Sequence, residues 1–400
     1  MIHRPAIAGG APVRDTFLVF GSPLIGEAEI AEVVDTLRSG WLGTGPKTKR
    51  FEEAFKTYIG ARHAVALNSA TAGLHLALDV AGVQPGTEVI TTAMTFASTA
   101  NVVVHLGGTP VFVDCQHESM NIDPGQIEAA ITPRTRAIIP VHMAGRAADM
   151  DAIMAIAQHH EVIVVEDAAH AIETRYQGRS AGTLGHMAAF SFYVTKNVVT
   201  GEGGMLTTDR DHWAEEARLK SLHGISKDAW KRYSAEGFTP YETVYPGYKY
   251  NMMDIQASLG LHQLAAVEAN LLIRERHWRA YDEGLGELDS CFIPAADVLP
   301  GNRHARHLYT LLLNLEALRI DRNSFINALK AENIGAGVHF TALHLHRFYR
   351  ERFGYAPGRL PVSEWIGERT VSLPLSAKLI DQDVRDVIVA VRRLLAWYRR

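Results

Sequence analysis

Between residues 63 and 208 the chain alternates short β-rich runs with helical stretches, and several of the runs are apolar throughout rather than at every second position. The runs are HAVALN (63–68), EVITT (88–92), PVFVD (110–114), AIIPVH (137–142), VIVVE (162–166), AAFSFY (188–193) and GMLTT (204–208). The spacing predicts helices over 70–81, 96–106, 123–131 and 148–159 between them. A strand without polar alternation is covered on both faces, as in a mainly parallel sheet with helices on either side. The expected fold class is therefore α/β. Open sheets of this kind bind ligands beyond the carboxyl ends of their strands, where Asn68, Asp167 and Tyr193 fall.

After residue 210 the pattern changes. A helix over 211–222 leads into an aromatic, proline-containing loop at 225–250 and a long helix from Asp254 to Leu285. A strand at 307–314, a helix at 321–332, a strand at 336–340 and an amphipathic helix at 382–398 follow. This succession predicts a large α/β domain with an N-terminal arm over 1–250 and a smaller α+β domain over 251–400.

Composition narrows the function. The 40 basic and 44 acidic residues are spread without a block of like charge, which argues against nucleic acid and anionic membrane surfaces as partners. The two cysteines, Cys115 and Cys291, are far apart and form neither a disulfide framework nor a thiolate metal site. The 19 histidines include no HExxH and no paired Cys/His spacing, so no metal is expected. With no apolar run near the ~18 residues of a membrane span and no apolar leader segment, the expected location is the cytoplasm.

Two motifs are set aside. GWLGTGPKT (40–48) resembles a phosphate-binding P-loop, but Pro46 intrudes before Lys47 and no β-rich run immediately precedes it. Tyr193 and Lys196 are spaced i,i+3 rather than the i,i+4 of short-chain dehydrogenases, and no GxGxxG opens a βαβ unit near the N-terminus.

Three other features fit together. Asp167 follows four apolar residues and an acid, so its carboxylate belongs at the edge of the core, where it is costly without a cationic partner. Lys196, in SFYVTKN (191–197), is a single lysine just past another strand, suited to condense with an aldehyde and then to act as a base. NSATAGLHLAL (68–78) passes from strand to helix through small residues, so the amides of Ala70, Thr71 and Ala72 can face an anion at the helix start. A pyridine-nitrogen partner, an amine and a phosphate cradle are the requirements of pyridoxal 5′-phosphate (PLP) chemistry.

The same residues carry a family resemblance. SGWLGTGP (39–46), NSATAGLHLAL (68–78), TTAMTFASTANVV (91–103), GGTPVFVD (107–114), VEDAAHA (165–171), FSFYVTKN (190–197), GEGGMLTT (201–208), YKYNMMDIQASLG (248–260) and SLPLS (372–376) resemble, in order, blocks of the DegT/DnrJ/StrS family of PLP-dependent sugar aminotransferases. The resemblance implies the fold type I aminotransferase architecture, with a mixed but mainly parallel seven-stranded sheet. It also implies a homodimer with shared active sites, a cycle through pyridoxamine phosphate, and transfer from L-glutamate to a keto-sugar nucleotide. Carried over by position, Lys196 is the cofactor-linking lysine and Asp167 the pyridine partner; His170 faces the cofactor's 3′-oxygen side, Phe96 stacks on its ring, and Ala70, Thr71 and Ser191 bind its phosphate. Either Lys249 or Asn251, in GYKYNM, could reach the partner's phosphate. Gly43, Thr44, Gly45, Tyr193 and His339 are the expected sugar-side residues. KNVVTGEGG (196–204) resembles members that act at C4 of the sugar, which points to a UDP- or dTDP-linked 4-keto sugar. C3 amination, amination of a keto-cyclitol and a non-catalytic PLP-binding regulator are the alternatives.

Overall fold

The computed structural model describes residues 4–225, 242–286, 288–293 and 300–400, so most of the expected 225–250 loop lies outside the described residues. Two helices, α1 (Glu27–Ser39) and α2 (Pro46–Ile59), precede the sheet. The alternating region then runs β1 (His63–Leu67), α3 (Ala70–Val80), β2 (Glu88–Thr92), α4 (Ala97–His105), β3 (Thr109–Val113), α5 (Pro124–Ala130), β4 (Thr135–Ile139), α6 (Met150–His159) and β5 (Ile163–Asp167). A small hairpin of β6 (Arg175–Tyr176) and β7 (Arg179–Ser180) leads to β8 (Met187–Ser191) and β9 (Gly204–Thr208).

Seven strands form one sheet in the order β1-β9-β8-β5-β4-β2-β3, and β9 alone runs against its neighbours. The apolar runs serve both faces, as their lack of alternation predicts. Ile90, Ile138, Val164 and Phe190 enter one core, while Val89, Ile139, Val165 and Ala189 enter the other. Each Val, Ile or Phe among them contributes about 1.5–3 kcal/mol of burial. Helix α3 sits unusually close to the sheet because Gly73 lacks a side chain: a Cβ there would lie 2.9 Å from that of Ala189 on β8.

Helix α7 (Asp211–Lys220) closes the large domain's alternating region. The single long helix expected from Asp254 is two, α8 (Asp254–Ala265) and α9 (Val267–Leu285), separated at Ala266. The break has a packing cause. Helix α8 lies against α1 and α2, whereas α9 turns to pack on the C-terminal helix α13. Beyond them come β10 (Cys291–Phe292), β11 (Tyr309–Leu313), α10 (Arg322–Ala331), α11 (Arg347–Phe353), α12 (Pro361–Arg369), β12 (Thr370–Leu373) and α13 (Asp381–Tyr398). The three strands form a separate antiparallel sheet, and a second core gathers on it from Trp278, Tyr281, Tyr309, Phe325, Val387 and Leu394.

Leu264 and Val267 pack in the first core, whereas Trp278 and Tyr281 pack in the second. Helix α9 thus runs from the first core to the second. The N-terminal arm also crosses to the small domain, where the Leu18 N–H donates to the Asn333 carbonyl and the Gly335 N–H to the Leu18 carbonyl, both at 2.8 Å. The strand expected over 336–340 does not form. Gly337 alone pairs with Ser372, and the chain then turns His339 and Phe340 toward the large domain.

Candidate active site

The carboxyl ends of β1, β5 and β8 lie together, and the reversed β9 contributes its first residue to the same edge. In register, Gly204 stands between Leu67 and Ser191. A Cβ on Gly204 would come 2.3 Å from the Ser69 carbonyl carbon and 2.6 Å from the Ala70 nitrogen. The glycine thus lets the start of α3 press against the sheet edge. Ser69 caps α3 by accepting from the Ala72 N–H at 3.1 Å, so that amide is already spent and the expected three-amide cradle is reduced to two. Ala70 and Thr71, in the first turn, have no intrahelical acceptor and face the cleft.

Asp167 ends β5 and is 5 % exposed. Its Oδ2 accepts from Thr99 Oγ1 at 2.7 Å, and its Oδ1 accepts from the Ala169 N–H at 3.2 Å. Thr95 Oγ1 lies 2.6 Å from Thr99 Oγ1, extending the hydroxyl chain to the residue that precedes the α4 N-cap, Phe96. Burial raises the Asp167 carboxyl above the usual carboxylate range, against the opposing pull of Thr99, Ala169, Lys196 and His142. A protonated ring nitrogen would supply the missing compensation. Beside it, Glu166 is a purely structural acid: it meets His142 at 2.8 Å and accepts from the amides of Gly182, Leu184 and Gly185.

Lys196 follows β8 in the turn that returns to β9. Desolvation lowers its ammonium to about 8, although Asp167 pulls in the opposite direction. His170 is buried, its Nδ1 has no hydrogen-bond partner among the described residues, and burial with Lys196 nearby holds its pKa well below the ordinary histidine value. His339 places Nδ1 2.9 Å from Ser372 Oγ and stacks on Phe20 at 5.5 Å between ring centroids. Burial, then Lys196, pushes His339 down to about 3.

A cleft of about 520 Å³ joins these groups. Of the residues expected from sequence, Ala70, Thr71, Phe96, Asp167, His170, Ser191, Tyr193, Lys196 and His339 line it. Phe96 is 63 % exposed at its mouth, with its ring 6.2 Å from that of Phe340. Gly43, Thr44, Gly45, Lys249 and Asn251 do not line this cleft. They are linked instead: Asn251 Nδ2 donates to Thr44 Oγ1 at 2.6 Å, and Leu67 bridges to Asn251 along the sheet edge. The sequence does not single out Thr99 or Phe340. Thr99 was discoverable, since it stands one helical turn from Thr95 in a stretch that begins at a strand end. Glu128, His159 and His160 bring ligand atoms within 4.8 Å of one another, but none of them lines the cleft.

The arrangement fits PLP on three counts: two free amides at a helix start, an orphaned buried ring nitrogen on His170, and a buried carboxylate short of partners. Known proteins agree. Residues 23–392 match the DegT/DnrJ/EryC1/StrS aminotransferase family. The spore coat polysaccharide biosynthesis protein SpsC of Bacillus subtilis is 49% identical over 383 residues, covering 96% of this chain and 98% of SpsC. Spr1654 of Streptococcus pneumoniae, solved in PLP and PMP forms, superposes in its PLP form with a TM-score of 0.87 at 35% identity, over 94% of this chain and 100% of that one. PseC of Helicobacter pylori, an aminotransferase of pseudoaminic acid biosynthesis, gives a TM-score of 0.87 at 27% identity, over 95% of this chain and 100% of PseC. A cleft built for PLP, in a chain matched to these proteins along nearly its whole length, makes this protein a PLP-dependent aminotransferase of the DegT/DnrJ/EryC1/StrS family.

Proposed function

We propose that the enzyme transfers an amino group from L-glutamate to a keto-sugar nucleotide, at C4 of a UDP- or dTDP-linked 4-keto sugar, as a cytoplasmic homodimer whose active sites are shared. The observation that carries the amino-transfer chemistry is the convergence of Lys196, Asp167 and the first-turn amides of α3 on one cleft. The sugar is supported by the names of SpsC and PseC, and the C4 position by KNVVTGEGG after the lysine.

When bound, PLP supplies an electron-withdrawing ring that stabilises the charge left on carbon as a substrate C–H bond breaks. The protein's residues set the conditions for this. The Ala70 and Thr71 amides, the Thr71 hydroxyl and Ser191 would hold the phosphate, and Asp167, aligned by Thr99, would hold a proton on the ring nitrogen. Lys196 would hold the cofactor through its Nζ and serve there as the base; a pKa near 8 suits a group that must both take up and give back a proton near neutrality. His339 and Tyr193 line the same cleft and would face the sugar.

Two observations support the dimer. Phe96, Tyr193, Trp41, Leu42 and Met253 are large apolar side chains left exposed. Asn251 is engaged by Thr44, whereas the exposed Lys249 ammonium has no ion pair among the described residues, which favours Lys249 for the partner's phosphate. No helix among the described residues is long and apolar enough to cross a membrane.

The test is a pair of half-reactions. Glutamate should bleach the yellow PLP-loaded protein and release 2-oxoglutarate. The resulting protein should then aminate one of a panel of 3-keto and 4-keto sugar nucleotides, identified by mass and NMR. No bleaching with any amino donor would overturn the transferase reading for glutamate and its congeners, and a 3-amino product would overturn the C4 assignment.

A further inference from the structure

Asn197, the neighbour of Lys196, is held on three sides. Its Nδ2 donates to Glu173 Oε2 at 2.8 Å and to the Ala305 carbonyl at 3.0 Å. With both N–H groups spent, its Oδ1 can only accept from His307 Nδ1, 2.9 Å away, so the His307 proton sits on Nδ1. Flipping the amide would set its oxygen against two acceptors, which no choice of tautomer repairs. Glu173 is itself fixed by a fully buried ion pair with Arg274. The His307 ring stacks on that of His170, with centroids 4.5 Å apart and planes 30° from parallel. His170 in turn lines the cleft with its Nδ1 unpartnered. Neither Asn197 nor His307 lines the cleft, so both act at one remove.

We propose that Asn197 and His307 are positioning residues: Asn197 fixes His307 in its Nδ1–H form, and the His307 ring is the platform that keeps His170 aimed at the cofactor. Burial, Lys196, His339, Arg274 and His304 all act against a positive charge on His307, and the nearby Glu173 carboxylate is occupied by Arg274 and Asn197. The platform is therefore an uncharged ring that does not repel the lysine. The inference rests on reading Lys196 and His170 as cofactor-facing residues.

The test uses PLP-loaded protein and reads the pH midpoint of its visible absorption, together with PLP retention. His307→Ala is expected to move the midpoint by about half a unit or more and to weaken retention, because the group facing the cofactor's oxygen is no longer held. His307→Phe keeps the ring platform and should stay close to wild type. Asn197→Ala should shift the midpoint in the native background and not in the His307→Phe background, since its effect passes through the imidazole. An unmoved midpoint in His307→Ala, or an equal Asn197→Ala shift in both backgrounds, overturns the proposal. If His307→Ala does not fold, the cycle of Asn197→Ala with His307→Phe decides the matter. A visible band that survives in Lys196→Ala overturns the reading of the site, and the inference with it. Where the band does depend on Lys196, a cycle without coupling overturns the inference alone.

Discussion

Helices α2 and α3 both begin at turns of small residues, and they treat their first-turn amides in opposite ways. At α2, Asp254 of α8 accepts from the amides of Gly45, Lys47 and Thr48 at 2.8–3.0 Å and from Thr48 Oγ1 at 2.7 Å. At α3 the chain's own cap covers Ala72 and leaves Ala70 and Thr71 facing the cleft. The α2 turn is the one that resembles a P-loop, yet its place for an anion is filled by the protein. A helix start becomes a ligand site when the chain leaves its amides unpaired, and composition alone does not reveal which start that is.

The same contrast separates two buried acids. Asp254, 1 % exposed, has four donors on its carboxylate, whereas Asp167 has two and faces the cleft. One acid ties elements together, and the other waits for a ligand. Substitutions at the open end should therefore change activity with little effect on stability, and those at the closed end should do the reverse.

The largest expected effect is at Lys196. Lys196→Ala should lower turnover by about 10⁴-fold, the upper range for loss of a positioned base, with an unchanged melting temperature. In the native protein, the rate of covalent PLP loading should rise with pH through a midpoint near 8 and level off above it, because only the neutral amine attacks; a flat profile from pH 6 to 9 would contradict the lowered lysine. At the closed end, Asp254→Ala strands three amides and a hydroxyl and should cost on the order of 3–5 kcal/mol in urea unfolding, with or without PLP.

Asp167→Asn should reduce turnover by roughly 10²-fold while PLP still binds. Its pH signature has a definite sign. A carboxyl raised by burial gives the apoprotein stability that is fully present below the unfolded carboxylate pKa and is lost as pH rises through the folded value. The apo Asp167→Asn protein should lack that loss, so its melting temperature should exceed that of wild type near neutrality. Ser69→Ala is the mildest change: removal of the α3 cap should cost about 1 kcal/mol, and calorimetry with and without PLP would tell whether the cofactor's phosphate makes up for the exposed Ala72 amide.

Much of the cleft wall was legible because its residues sit at ends of regular elements, where apolar runs stop at Asp167 and Ser191 and small residues open α3. The break at Ala266 was not, since no glycine or proline marks it and it arises from two helices following different neighbours. Residues 336–340 carry strand-like composition, but they pair only once because the chain there is diverted to bring His339 and Phe340 to the cleft. The Asn197–His307 contact spans 110 residues, and no local pattern could announce it. Gly43–Gly45 resemble a pocket in sequence, yet Thr44 and Gly45 are engaged by Asn251 and Asp254 and do not line the cleft.

The reversal of β9 has a consequence for how this sequence can vary in length. Because β9 starts where β8 ends, the connection that carries Lys196 leaves the site and returns to it, delivering Gly204 against the Ser69–Ala70 turn. Most surface loops tolerate insertion, but this one is tethered at both ends to the same cleft. A residue added between 197 and 203 would shift the lysine against the cradle, or the cradle against the lysine. Descendants of this protein are therefore free to lengthen elsewhere, whereas the span from Lys196 to Gly204 acts as a fixed ruler.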